Sequence, residues 1–278
     1  MSAVLPAPPV TYDSAKRGLP FVSEALALWD FRHLVAELVS RDIKVRYKRS
    51  VLGIAWTMLS PLVNMVALTI VFSEILKQQI TNFPVYLLTG SLLWTFFSQG
   101  TSYAASLTVD AGDITRRVYV PRSVFVAVAV GVALVNLLLS LVPLFVIILV
   151  TRHPVSTAWL FLPVPILVAT IFTAGVGLLV FTMSSRFVDV KETYMVLLGT
   201  WFFITPVFYV PAIVPERFRW IITLNPMTHL LNLFRAPLYE GRIPGARVLL
   251  LSVAAALVAL AAGWLFYARK NEDYGTRS

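Results

Sequence analysis

The stretch SVFVAVAVGVALVNLLLSLVPLFVIILVT, Ser123–Thr151, runs for 29 residues without an Asp, Glu, Lys or Arg. A helix needs about 20 apolar residues to cross a hydrocarbon core of roughly 30 Å, where every backbone N–H and C=O must be paired internally. Five more uncharged runs reach that length: Ser50–Ser73 with 24 residues, Gln78–Val109 with 32, His153–Ser185 with 33, Thr193–Pro215 with 23 and Val248–Ala268 with 21. A seventh, Trp220–Phe234, has 15 residues and is interrupted at Asn225-Pro226. It is too short to span and reads as a re-entrant or interfacial piece. The expectation is an all-α membrane protein of six transmembrane helices, with spans near 51–75, 84–106, 123–151, 157–184, 193–212 and 248–268.

Composition agrees. Charged residues are 13% of the 278, against about 25% in a soluble domain. Apolar residues are 58%, which excludes a disordered or collagen-like chain and an ordinary water-soluble enzyme. Cysteine is absent, so there is no disulfide framework and no thiolate ligand or nucleophile. His33, His153 and His229 are too far apart for a local zinc motif, and no metal site is expected. The formal charge of +9 reads as basic cytoplasmic loops on an anionic leaflet rather than as a nucleic-acid surface.

With the N-terminus inside, the cytoplasmic segments hold 16 Lys/Arg and the outer ones 7, so both ends are expected in the cytoplasm. Most of the outer exceptions fall between Pro211 and Arg247, which marks that segment as a structured element. Met1–Pro20 is Pro-rich and polar with no apolar h-region, so no signal peptide is read. Residues 1–29 are expected to be a mobile tail, 30–270 one membrane domain and 271–278 a cytoplasmic tail.

Ahead of the first span, Phe31, Leu34, Val35 and Leu38 share one helical face, with Arg32, His33 and Glu37 off it. Asp30 can cap the start. Asp42 lands on the apolar side, so the pattern predicts an interfacial amphipathic helix within 30–49 that gives way to a turn or second short helix after Val39. Arg41, Lys44, Arg46, Lys48 and Arg49 put five cations into nine residues. Two readings fit them: a lipid anchor worth about 1 kcal/mol per cation, or a site for a phosphate or pyrophosphate headgroup.

None of the six lysines follows a glycine, so the chain has no phosphate-binding loop of its own. The long runs lack the carboxylates of a proton relay, and no nucleophile–base set stands out. Asn64, Gln99 and Asn136 read as interhelical hydrogen-bond partners worth about 0.6 kcal/mol each. Ala254, Ala255, Ala256, Ala259, Ala261, Ala262 and Gly263 give the last span a small-residue face for close packing. The aromatics Trp94, Phe97 and Tyr103 in the second span, and Trp201 and Phe202 in the fifth, fit an interfacial belt or lipid contact. They also fit a wide conduit in which sugar rings slide over aromatic faces.

Taken in order, several blocks resemble the ABC-2 type permeases that export polysaccharides. They are Arg41–Gly53 with Trp56 and Leu59-Ser60-Pro61-Leu62, then Ser185-Arg186-Phe187-Val188-Asp189-Val190, then Thr205-Pro206-Val207-Phe208-Tyr209, and last Leu224-Asn225-Pro226-Met227. The resemblance covers about residues 30–270. It implies a half-transporter, not an enzyme, in which two copies form the conduit. Two copies of a separate ABC ATPase would bind ATP and Mg, so this chain would carry no cofactor. The cargo would be a polysaccharide on undecaprenyl pyrophosphate, such as O-antigen, capsule, teichoic acid or galactan, crossing the bacterial inner membrane. Arg41, Lys44, Arg46, Lys48 and Arg49 would then belong to a gate helix at the inner surface. A cytoplasmic coupling helix between spans two and three would use Asp110, Asp113, Arg116, Arg117, Tyr119 and Pro121, and Pro211–Arg247 would form short outer gate helices. Val188 departs from the basic or polar residue many members carry there. An ABC-2 permease for a small molecule or lipid shares the same features. An intramembrane lipid-modifying enzyme would need surface acids or histidines beyond those found.

Overall fold

The computed structural model describes residues 29–48, 55–75, 80–108, 120–187 and 189–275. Nine α-helices order them: α1 Arg32–Tyr47, α2 Ala55–Thr69 with a π-helical end Ile70–Ile75, α3 Phe83–Ser106, α4 Ser123–Val150, α5 Pro163–Ser184, α6 Asp189–Ile204, α7 Arg219–Leu224, α8 Pro226–Leu238 and α9 Ala246–Gly275. Short 3₁₀ turns at Thr157–Phe161, Pro211–Ile213 and Glu216–Phe218 join them, and no strand occurs among the described residues. Start signals are local. Pro163 and Pro226 open their helices where a missing N–H costs nothing. Asn82 takes the left-handed conformation ahead of α3, which a short polar side chain tolerates.

The bundle is built around α3. Sixteen of its 24 residues are buried, on all but one side, by α4, α5, α2, α6 and α8. That burial explains its composition: a helix shielded from lipid can carry Thr89, Thr101 and a row of serines at little cost. Among the described residues three helical segments, Ser123–Val150, Thr157–Ser184 and Ala246–Arg269, are both long and apolar enough to cross a membrane by themselves. They sit outside α3, and α4 turns a lipid-type stripe of Leu138, Val142, Val146 and Leu149 outward.

The last helix packs on α5 through the small residues expected of it. A Cβ on Gly263 would lie 2.1 Å from the Gly175 carbonyl oxygen, and one on Gly175 would lie 2.3 Å from the Leu260 nitrogen. Backbones meet there, as in small-residue crossings of membrane helices.

Several boundaries differ from expectation. The fifth span, expected over 193–212, is α6 and ends at Ile204, because Pro206 cannot donate to a continuing helix and restricts Thr205. It begins earlier, at Asp189, where Asp189 and Glu192 suit a helix N-terminus. α9 continues to Gly275, into the stretch read as a cytoplasmic tail. The helix read over 30–49 is one piece from Arg32 to Tyr47 with no break after Val39. Asp30 does not cap it; instead Arg32 donates to the Trp29 carbonyl at 2.9 Å and lies over the Trp29 ring. The tail read over residues 1–29 lies outside the described residues except for Trp29.

Candidate functional site

The unbroken course of α1 has a local cause. The carboxylate of Asp42, turned toward the bundle, accepts a hydrogen bond from the Tyr103 hydroxyl at 2.6 Å and pairs with Arg41 at 3.0 Å. A charge on the packed side is tolerated because it is doubly partnered. Phe31, Leu34, Val35, Leu38, Val39 and Ile43 pack inward. Val39 presses on α4 at Gly131, where a Cβ would meet it at 2.9 Å. Arg41, Lys44, Arg46 and Lys48 are all exposed, and Arg46 lies on the bundle side, over the Tyr103 ring. Arg49 lies outside the described residues.

Tyr103 therefore ties the cationic end of α1 to α3, and a groove starts there. One cavity of about 260 Å³ is lined by Arg46, Tyr103, Gln99, Ser102 and Asn136. A wider cleft of about 450 Å³ shares Gln99, Ser102 and Met195 with it and continues along α6 to Trp94, Gly199, Phe202 and Phe203. Ser98, Gln99, Ser102 and Ser106 recur every three or four residues, so they form one stripe on the single uncovered face of α3. The three hydroxyls donate back to the carbonyls of Thr95 (3.2 Å), Gln99 (3.4 Å) and Ser102 (3.1 Å), which leaves their oxygen lone pairs toward the groove. Asn136 donates to the Gln99 side-chain oxygen at 3.2 Å, the interhelical role read for both.

The aromatics divide. Trp94 and Phe202 stand at the wide end of the groove, 5.5 Å apart between centroids, and Tyr103 at its narrow end. Phe97 does not reach it: 1% exposed, it packs on Phe172 at 5.5 Å and on Trp201 at 5.2 Å. Trp201 points its indole N–H to the Asn225 side chain at 2.9 Å. From Trp94 the rings continue through Phe202, Phe208, Phe72, Phe83, Tyr86 and Tyr239 to His153.

Asn225 and Arg235 were not singled out by sequence reasoning as site residues, yet they hold the far end of the groove. Asn225 caps α8 by accepting from Met227 N at 3.0 Å, accepts from Trp201 and donates to the Thr205 hydroxyl at 2.9 Å. The α7–α8 pair is thereby a helical hairpin joined at Asn225. Its first arm exposes Trp220 and Leu224, and its second is buried from Met227 to Leu238 apart from scattered positions. The 220–234 stretch, read as re-entrant or interfacial, is two short helices broken at Asn225-Pro226, the first exposed and the second buried.

Arg235, counted in sequence as one of the outer cations, is 3% exposed. It donates to the Pro206 carbonyl at 2.7 Å, to the Val207 carbonyl and to the Tyr86 hydroxyl at 3.0 Å, and stacks 3.8 Å over the Tyr86 ring. No ion pair to it forms among the described residues. Burial draws its pKa below the ordinary guanidinium range, with the Tyr86 and Tyr239 phenols and Glu240 opposing. It nonetheless stays charged, since an arginine starts so far above neutrality. Gly90 makes room for it: a Cβ there would lie 2.7 Å from the Val207 carbonyl oxygen. The Asn-Pro capping signature at 225–226 was visible in sequence; partners 20 and more residues away were not.

Of the expected coupling residues, Asp110, Asp113, Arg116, Arg117 and Tyr119 lie outside the described residues. Pro121 is buried, and its carbonyl accepts from Val124 N at 3.0 Å where α4 begins. Among the described residues no cluster of metal-ligating side chains occurs.

Residues 33–239 match the ABC-2 type transporter family. The O-antigen export system permease protein RfbA of Myxococcus xanthus is 34% identical over 250 residues, covering 88% of this chain and 95% of that protein. The RfbA permease of Klebsiella pneumoniae is 28% identical over 76% of this chain and 82% of its own length. The polysialic acid transport protein KpsM of Escherichia coli is 22% identical over 86% and 93%. On the family match, the relative at 34% identity and the apolar helices, the chain is an integral membrane protein that belongs to the ABC-2 type transporter family.

Proposed function

We propose that this chain is the membrane-embedded half of an ATP-driven exporter, and that it moves a polysaccharide linked to undecaprenyl pyrophosphate outward across the bacterial inner membrane. One observation carries the reading. The only open face of the central helix is a stripe of hydroxyls and a carboxamide, flanked by Trp94 and Phe202 and reached past the cations of α1. Polar groups facing lipid would be costly; facing a hydrated glycan they exchange one hydroxyl partner for another. A permease for an apolar drug or lipid, the rival reading, has no use for that stripe. The exports named for RfbA and KpsM point the same way.

In this reading α2 to α6 and α9 are six spans with both termini cytoplasmic. α2 and α6 are taken as spans from the uncharged runs Ser50–Ser73 and Thr193–Pro215. The Ser106 end of α3 faces the cytoplasm and the α7–α8 hairpin faces outward. Apolar faces on α2 (Val63, Val66, Ile70) and α6 (Val196, Phe203) flank the groove and are exposed in one copy. A second copy meeting them would close the groove into a conduit. A separate ATPase pair, docked at the 110–122 segment, supplies the work, since the chain has no phosphate-binding loop. ATP-driven closure of that pair favours one of two arrangements of the spans, and differential contacts with the glycan couple the two.

The test is to co-purify the chain with the ATPase encoded beside it and to supply a lipid-linked glycan to sealed vesicles. ATP-dependent delivery of the glycan across the bilayer is expected. Transport of a drug or bare lipid, with the glycan left behind, would establish the rival.

A further inference from the structure

Within the groove, the lining of the 260 Å³ cavity at its narrow end combines two kinds of chemistry. The exposed guanidinium of Arg46 lies beside the Tyr103 ring, 6.0 Å from its centroid. Two carboxamides are locked together by the Asn136–Gln99 bond. Asn136 is 6% exposed, and its side-chain oxygen is buried with no hydrogen-bond partner. Such an acceptor is destabilising while it stays unpaired. Gln99 spends its oxygen on Asn136, which leaves its amide N–H groups facing the groove. Ser102, one turn along, turns its lone pairs the same way because its hydroxyl proton is used on the Gln99 carbonyl. The site thus gathers a buried acceptor that has no partner, the Gln99 amide and a serine hydroxyl beside one cation. Its volume equals about nine waters at roughly 30 Å³ each, the bulk of one six-membered sugar ring rather than of a single ion.

We propose that Asn136, Gln99 and Ser102 form a subsite for the first pyranose ring of the cargo, the ring joined to the phosphate that Arg46 faces. Ring hydroxyls, or the N–H and C=O of an acetamido substituent, supply both donors and acceptors to the unsatisfied carboxamides. The subsite makes this chain a reader of the sugar next to the lipid diphosphate, not merely of the anion. It rests on the export reading above and adds a specificity to it.

The experiment uses the full chain in lipid nanodiscs and three radiolabelled probes: a bare polyprenyl diphosphate, and the same lipid bearing one hexose or one N-acetylhexosamine. At least one glycosylated probe is expected to bind about tenfold more tightly than the bare one, the value of one or two neutral hydrogen bonds. Asn136→Leu brings that ratio close to one. Ser102→Leu does the same by filling the cavity, and it leaves the Asn136–Gln99 pair intact should Asn136→Leu fail to fold. Arg46→Gln weakens all three probes together. Equal binding of bare and glycosylated lipids by the wild-type chain, or a preference that survives Ser102→Leu, overturns the subsite and leaves the export reading standing. Binding of none of the three by the wild-type chain overturns the export reading itself.

Discussion

Arg235→Met removes a buried cation that forms no ion pair among the described residues, and the sign of its effect depends on which of two costs is larger. The guanidinium satisfies the carbonyls of Pro206 and Val207, both buried, and stacks on Tyr86. Methionine fills much of the volume but donates nothing. Two orphaned carbonyls cost about 1–3 kcal/mol each, and the lost stacking on a desolvated ring about 2 kcal/mol more. Against this, deleting the charge returns its desolvation penalty, several kcal/mol for a buried ion. Because four oxygen partners and a ring already solvate the guanidinium, the carbonyl loss is expected to win by about 2 kcal/mol. The damage should be local, since Arg235 fastens the α7–α8 hairpin to the Pro206 turn. Hydrogen exchange of the 219–238 amides is expected to speed up about 30-fold, the equivalent of 2 kcal/mol, while amides of α4 and α5 keep their rates. Arg235→Lys keeps the charge but loses the planar fork and should fall between. Exchange at 219–238 that is unchanged or slower in Arg235→Met would refute the reasoning: the cation would then be a net burden and not a fastener.

Three further outcomes are expected. Gly263→Val drives side-chain atoms into the α5 backbone, already 2.1 Å from a Cβ, and should lower the melting temperature of the purified chain by several degrees; Gly199→Ala, with nothing within 4 Å, should leave it unchanged or slightly higher. Trp201→Phe and Asn225→Ala remove the two ends of one 2.9 Å hydrogen bond, so a double-mutant cycle on stability should return a coupling of about 0.5–1.5 kcal/mol; strict additivity would deny the bond. Tyr103→Phe withdraws the hydroxyl from Asp42 and should raise hydrogen exchange across α1 about tenfold, with α4 unaffected; an unmoved α1 would mean that its apolar face alone holds it.

How far the fold could be read in advance depended on which forces each segment answers to. α4 and α9 face lipid, so hydrophobicity alone marks them, and the alanine and glycine face of α9 forecast a close crossing that Gly175 and Gly263 make. α3 also fell where its uncharged run put it, although its serines and threonines give no strong apolar signal; burial at the centre of the bundle is a tertiary fact. The end of α6 was misread because an uncharged run continues past Pro206, and charge counting is blind to a missing N–H. Asp42 looked like a helix breaker because its partner, Tyr103, lies 61 residues on. Arg235 was counted as a loop cation by a rule that concerns loops, whereas it lies in a buried helix with its two terminal nitrogens bonded to carbonyls and a phenol and its plane over a ring. Both errors have one source: a charged side chain reads as exposed until its partners are known. The two blocks Thr205–Tyr209 and Leu224–Met227, separate in the chain, are one contact in space through the Asn225–Thr205 bond.

The account stands on the groove between α3 and α6 being the path of the cargo. Gly199 lines that groove, and open space surrounds the position where its Cβ would stand, so Gly199→Trp should fold and fill the cleft. In sealed vesicles holding the chain and its partner ATPase, glycan translocation by Gly199→Trp should fall at least tenfold, the size of an effect on the path itself, while ATP hydrolysis continues. Translocation at the wild-type rate past that tryptophan would contradict the account.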